Sequence, residues 1–263
     1  MPCLRIAYDG SSFSGSQRQP NGNTVENSII DSMIDMGAIE NTSELEMFRM
    51  ASRTDRGVSA RENLLNVAIA GKDLSRNNIL KRLNNALSSV WITGFSSQSH
   101  SRPIEKTYNY YLMNRGYDQG ALNELCDIFS GTNNYSSFSK HNPQKDPVRT
   151  ITVDYFINDY AVVLSFKGMG FLWQMCRRIA SAFIMNLKGD LGIEDMRAML
   201  YEGASSNIAS ADPLNLVLAK IDCGLVFEPV YSGIEHMKDH YAMKGERALL
   251  DHAIYSDAAR SKF

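Results

Sequence analysis

Asp55 is the first residue whose type and setting suggest chemistry. It stands in Met50-Ala51-Ser52-Arg53-Thr54-Asp55-Arg56-Gly57-Val58-Ser59-Ala60, two residues after Arg53 and directly before Arg56 and Gly57. The segment falls between two expected strands, which makes it a loop on a rigid scaffold, where catalytic side chains often concentrate. The two arginines put positive charge beside the carboxylate, and the glycine permits a tight backbone close to a ligand. An Asp-x-Gly turn is also an ordinary structural device whose carboxylate bonds its own backbone. No histidine follows at metalloprotease spacing, and no second aspartate stands nearby.

Lys106-Thr107-Tyr108-Asn109-Tyr110-Tyr111 is the second candidate. On a strand, Tyr108 and Tyr110 share one face, with Asn109 and Tyr111 on the other. Aromatics beside a cation can stack unpaired bases and hold phosphate, or simply fill a core. The third candidate is the apolar run from Gly168 to Ile179, which carries Arg177 and Arg178. Read as one helix, it puts Phe171, Met175, Arg178 and Ala182 on one stripe and Leu172, Cys176, Ile179 and Phe183 on the next, with Arg177 just off it. An arginine buried there needs an anion; otherwise it snorkels to solvent. His236 and His240 stand i, i+4 but lack a third ligand at a metal-binding spacing, so they read as exposed helix histidines. Gly168-x-Gly170 lacks the third glycine of a dinucleotide fingerprint, and neither a phosphate-binding P-loop nor a G-x-S-x-G elbow is present.

The elements that must position these groups follow from periodicity. Cys3–Tyr8 alternates as a strand, and Thr24 caps a helix running to Met36 with Val25, Ile29, Ile30, Met33 and Ile34 at helical spacing. Leu45–Met50 and Asn63–Ala70 read as strands around the polar loop 51–62, Leu74–Leu87 as a helix and Val90–Ser96 as a strand. That order, β-α-β-β-α-β, is a ferredoxin-like split unit. The second half repeats it loosely: strand Thr107–Met113, helix Gln119–Phe129, a hairpin of Ile151–Ile157 and Ala161–Lys167, helices Phe171–Leu187 and Ile193–Leu200, and strand Leu216–Cys223. The expectation is an α+β protein of two ferredoxin-like halves sharing a mainly antiparallel sheet. The halves span residues 1–103, with the catalytic loop, and 104–233, followed by a helical tail at 234–263 centred on His236–Ile254.

Composition narrows the class. Of 263 residues, 44% are hydrophobic and 21% charged, which excludes a disordered or collagen-like chain. The most apolar windows, such as Ile179–Leu187, are too short to cross a bilayer, and the N-terminus carries no basic-then-apolar secretion signal. Cys3, Cys126, Cys176 and Cys223 are far apart, as expected of reduced thiols in a cytoplasmic protein. The net charge of −2 conceals an uneven distribution. Residues 1–46 carry two basic and seven acidic side chains, residues 47–182 carry 17 and 10, and residues 183–263 carry 8 and 12. A basic middle between acidic ends fits either a polyanion site or ordinary charge scatter on a solvated surface.

Together these segments resemble the TruA family of tRNA pseudouridine synthases, in order from about Cys3 to Glu228. Tyr8-Asp9-Gly10 through Gln19 resembles the family's N-terminal motif, Arg53–Val58 its R-T-D-x-G-V loop, and Lys106–Tyr110 its [RK]-x-Y-x-Y strand. Ser136-Ser137-Phe138 resembles its T-S-F segment, and Phe171–Ile179 its F-L-x-x-M-V-R-x-I segment. Ser16, Ser59 and Asn63 depart from the usual tryptophan, histidine and glutamine, and the spacing from Arg102 to Tyr108 is shorter. The resemblance implies the pseudouridine synthase fold and isomerisation of uridine to pseudouridine in tRNA, in the anticodon arm at positions 38–40. The N1–C1′ bond breaks, uracil turns while held, and C5 bonds to C1′. Asp55 would supply the carboxylate at the ribose, either attacking C1′ or assisting glycal formation. Arg177 would pair with Asp55 and orient it. Tyr108 would stack on uracil near C5, and Arg53 and Arg56 would bind phosphates. The implied partners are tRNA and a second copy in a homodimer, without a metal, nucleotide or other cofactor and without a membrane. The alternatives are a synthase for other tRNA sites, a non-catalytic RNA-binding protein of this fold, and a carboxylate-dependent glycoside or nucleoside hydrolase.

Overall fold

The computed structural model describes residues 1–263 apart from 21, 75–77, 101, 141–143, 145, 202–207 and 261–263; for 257–260 it describes the backbone alone. The described strands join one ten-stranded sheet, ordered β10-β4-β1-β3-β9-β5-β8-β7-β6, with β2 on the free part of β3. In the first half, β1 (Cys3–Tyr8), α1 (Val25–Asp35), β2 (Leu45–Met50), β3 (Ser59–Ile69), α2 (Ile79–Ala86) and β4 (Val90–Ser96) pair in the order β4-β1-β3-β2. The second half consists of β5 (Glu105–Met113), α3 (Gln119–Phe129), β6 (Gly131–Asn134), β7 (Val148–Ile157), β8 (Ala161–Gly168), α4 (Met175–Leu187), α5 (Ile193–Tyr201) and β9 (Leu216–Asp222). Its order, β9-β5-β8-β7, repeats that of the first half, with β6 added at the edge. The fold is therefore the expected α+β pair of ferredoxin-like halves. Every strand pair is antiparallel except β3 with β9, where the halves meet.

Local chemistry explains where two of the helices start. The Thr24 side chain accepts from the Asn27 N–H at the start of α1, and Asp118 from Ala121 at the start of α3, satisfying donors that a helix N-terminus leaves free. Val25, Ile29 and Met33 of α1 and Leu122, Leu125 and Phe129 of α3 enter one continuous core.

Several boundaries differ from those expected. β3 starts at Ser59, so the loop is 51–58 rather than 51–62. The described part of the Leu74–Leu87 helix begins at Ile79, with Asn78 in the left-handed region at φ 54, and residues 75–77 lie outside the described residues. β6, Gly131-Thr132-Asn133-Asn134, gives no apolar alternation because backbone pairing to β7 holds it. The two-residue β10 (Glu228–Pro229) is too short for any periodicity. α4 begins at Met175 instead of Phe171, because Gln174 takes φ 62 and interrupts the helix. The proposed helical stripes therefore hold only from Met175 onward.

The C-terminal helix, α6 (Tyr231–Arg260), is longer than the expected His236–Ile254 and is docked rather than merely appended. Its His240 and Tyr241 rings lie 4.9 and 5.7 Å from Trp91 of β4, which is 1% exposed. His236 is exposed as expected, but His240 is not: its Nε2 lies 2.9 Å from Asp9 Oδ2, and Lys244 Nζ donates to the same oxygen at 2.6 Å. Burial by itself would raise the Asp9 carboxyl, yet hydrogen bonds from Lys244, Ser11 and His240 hold it below the ordinary carboxylate range. A carboxyl depressed in the folded state contributes fully above its unfolded value and loses that contribution as pH falls. Asp9→Asn should therefore lower the unfolding free energy by about 1.5–3 kcal/mol near pH 7. In a pH series of urea titrations, the gap from wild type should begin to narrow below pH ~4 and keep narrowing as pH falls towards the depressed folded value. A gap that stays constant from pH 7 down to pH 2 would contradict the assignment.

Candidate active site

The loop 51–58 sits where the two halves of the sheet join. β2 pairs with β3 as far as Met50 opposite Leu65, whereas β9 pairs with the same strand at Ser59 and Ala60. The loop fills the interval and is held from beneath. The Ser52 N–H donates to Asn63 Oδ1 at 3.2 Å, and Asn63 Nδ2 donates to Ser52 O at 2.8 Å and to Tyr8 Oη at 3.2 Å. The Tyr8 hydroxyl also shares a 2.9 Å bond with Thr54 Oγ1, and burial pushes its phenol up to about 12. The Thr54 N–H donates to Ser16 Oγ at 2.8 Å, and the Ser16 N–H returns a bond to Thr54 O at 3.1 Å. The Gly10 N–H donates to Ser59 Oγ, and a Cβ on Gly10 would stand 2.2 Å from the Val58 carbonyl. Only glycine permits that approach. Thus Ser16, Ser59 and Asn63, the three departures from the family pattern, all brace this loop.

Asp55 projects from the braced loop. Its backbone carbonyl accepts from the Val58 N–H in the turn, where Gly57 takes φ 84, but its carboxylate does not bond back to the turn. Instead, Oδ2 accepts from Arg177 Nη1 at 3.1 Å and Oδ1 from the Trp173 indole N–H at 3.1 Å. The Arg177 side chain is 11% exposed and that of Asp55 is 30% exposed. Arg177 Nε donates to Ala211 O at 2.7 Å, and its backbone carbonyl accepts from the Ala211 N–H, which fixes the guanidinium in place. The buried arginine therefore has its anion. Arg53 and Arg56, next to Asp55 in sequence, are exposed and form no ion pair with it. Arg177, 122 residues away, supplies the charge instead.

β5 brings Tyr108 to the other side of this layer. Its ring is 7% exposed and meets Phe171 edge-on at 5.3 Å, while its hydroxyl shares a 2.8 Å bond with Ser52 Oγ. Burial raises the phenol strongly, so it stays protonated. Lys106, the cation beside these aromatics, turns inward: Nζ donates to Ala51 O at 2.9 Å and to Ser52 Oγ at 3.2 Å. These groups line a cleft of about 800 Å³ that contains Arg53, Asp55, Arg56, Lys106, Tyr108 and Arg177. Lys140 lies over the ring of Trp173 at 4.4 Å beside the cleft.

Five residues expected at the site thus line one cleft. Trp173 and Ser52 were missed as site residues, although both lie in quoted motifs. An indole N–H in a run read as a helix gives no sign that it points at a distant carboxylate. Such a site can hold a planar base between aromatic edges and present an oriented carboxylate to an electrophilic carbon.

The repeated ferredoxin-like sheet with this cleft at its junction is the fold of the pseudouridine synthases. A family model described as tRNA pseudouridine synthase matches residues 125–222. Tracing the whole chain, "tRNA pseudouridine synthase A" of Thermococcus kodakarensis is 38% identical over 262 residues, 97% of each chain. The protein of the same name from Pyrococcus furiosus is 36% identical over 92% of this chain and 87% of its own, and that of Methanosarcina barkeri 27% identical over 97% and 95%. The chain belongs to the tRNA pseudouridine synthase A family.

Proposed function

We propose that the protein isomerises uridine to pseudouridine in tRNA, in the anticodon arm at positions 38–40, and does so as a cytoplasmic homodimer. The observation that carries this reading is the Asp55 carboxylate, held by Arg177 and Trp173 opposite Tyr108 in a cleft large enough for a nucleotide. The target uridine leaves its stack to enter, at a cost of a few kcal/mol. Positive character develops at C1′ as the N1–C1′ bond breaks, and the Asp55 carboxylate either captures C1′ or assists glycal formation. Uracil turns against Tyr108 and Phe171, C5 joins C1′, and the C5 proton leaves. Arg53 and Arg56, exposed at the rim, bind phosphates, and a second copy of the basic middle extends that surface along the stem.

Mapping pseudouridine in tRNA from cells lacking the protein, beside cells that contain it, tests the reading. The expected result is loss of pseudouridine at positions 38–40 and nowhere else. Loss at other positions would overturn the site assignment, and an unchanged map the function. Sedimentation of the purified protein with tRNA tests the dimer: a complex containing one copy would contradict it.

A further inference from the structure

Asp55, Arg56, Trp173, Gln174 and Arg177 line a second cavity as well as the catalytic cleft. This second space, of about 640 Å³, is completed by Phe13 and by the turn Pro213–Asn215. The Asp212 carboxylate builds that turn by accepting from the Leu214 N–H at 2.9 Å. Pro213 lies so close to the catalytic loop that a Cβ on Gly57 would stand 3.2 Å from its Cγ. Leu214 nevertheless stays 56% exposed and Trp173 55% exposed. Two large apolar side chains left open on one cavity, beside a catalytic carboxylate, mark a binding surface. Its walls specify the occupant. Asp55 and Asp212 repel a phosphate, and Arg177 is committed to Asp55 and to Ala211 O. Phe13, Trp173, Pro213 and Leu214 offer the aromatic and apolar surface on which a nucleobase stacks. Arg56 borders both cavities, where it can hold a phosphate that links two nucleotides.

We propose that this second cavity receives the base adjacent to the target uridine in the tRNA strand, with Trp173 as the wall between the two bases. The proposal rests on the isomerase reading and adds a second nucleotide to it. In an RNA strand the neighbouring nucleotide stays tethered one phosphodiester from the ribose that meets Asp55, so its base must lie close by. Drawing the target out of its stack exposes a face of that neighbour. Stacking the neighbour against Trp173 and Leu214 offsets part of the unstacking cost. Trp173 thereby serves twice: its indole N–H holds the Asp55 carboxylate, and its ring divides the two bases.

Single-turnover pseudouridine formation by the full-length protein and its Leu214→Ser variant tests the pocket. The substrates are intact tRNA and tRNA assembled with an abasic residue on the 5′ or the 3′ side of the target uridine. Leu214→Ser trims an exposed side chain and leaves every contact of Asp55 in place. On intact tRNA the variant is expected to lose about fivefold or more in kcat/KM, the low end of base stacking on protein side chains. Once the neighbour that enters the cavity is abasic, wild type and variant should react equally fast, because the side chain then has no base to hold. A merely structural loss would persist on every tRNA. An unchanged ratio of wild type to variant on both abasic tRNAs, or no loss on intact tRNA, would therefore overturn the pocket and leave the isomerase reading standing. Failure of the wild-type protein to form any pseudouridine in intact tRNA would overturn that reading itself, and the pocket with it.

Discussion

Asp55→Asn is expected to form no detectable pseudouridine while binding tRNA about as well as wild type. The substitution keeps the side chain's shape and one carbonyl oxygen but removes the charge. Arg177 Nη1 and the Trp173 N–H both donate to this group, and an amide offers only one acceptor oxygen to the two of them. One donor therefore loses its partner, and the carbon that must become electron-poor loses the only carboxylate aimed into the cleft by the described contacts. Preorganised charge at a reacting centre commonly accounts for the largest share of an enzyme's rate. Binding survives because the phosphate contacts are assigned to Arg53 and Arg56. The loop also survives, because its bracing runs through Tyr8, Ser16, Asn63 and Thr54 and not through the carboxylate. Equal tRNA affinity by filter binding, with no product, is the expected pair of results. Turnover by the variant would remove Asp55 from its assigned role.

Arg177→Ala should be nearly as damaging and should also destabilise the fold. The guanidinium bonds both the carboxylate and the Ala211 carbonyl, so its removal leaves an acceptor on each side without a donor. Breaking a buried pair costs about 3–5 kcal/mol, and the lower end applies here because the Asp55 side chain is 30% exposed. Turnover should fall by about 10²–10³, the loss seen when one oriented donor is removed from a charged centre. Trp173 still holds Oδ1, so some orientation persists and Arg177→Ala should retain more activity than Asp55→Asn. Urea unfolding and single-turnover rates check the two effects separately. Near-normal rates from a folded Arg177→Ala protein would show that the pair does not serve the reaction.

The parts of this site that sequence revealed are those governed by local pattern. Thr24 before a helical repeat, the 3–8 alternation and the Gln119–Phe129 periodicity marked elements whose bounds agree closely, because the two helices bury one regular face each and the strand is a short apolar-rich run that is nearly all buried. Arg177 was legible for a different reason: a charge within an apolar run demands a partner. What escaped depended on contacts between distant segments. Phe171 to Gln174 is as apolar as a helix face, yet these residues leave the helix to line the cleft, and no periodicity separates those outcomes. Arg53 and Arg56 stand within two residues of Asp55 in sequence but turn outward, since the braced backbone directs the carboxylate toward α4. His240 was lost for the same reason, because its partner Asp9 lies 231 residues away.

Release of tritium from tRNA carrying 5-tritiated uridine tests the central claim most directly, because only bond formation at C5 displaces that hydrogen. Purified wild-type protein should release tritium in step with pseudouridine formed, and Asp55→Asn should release none. Free uracil or free sugar without tritium release would identify a hydrolase, and tRNA binding without any product a binding protein. Either result would contradict the account of Asp55 as the carboxylate of a uridine isomerase.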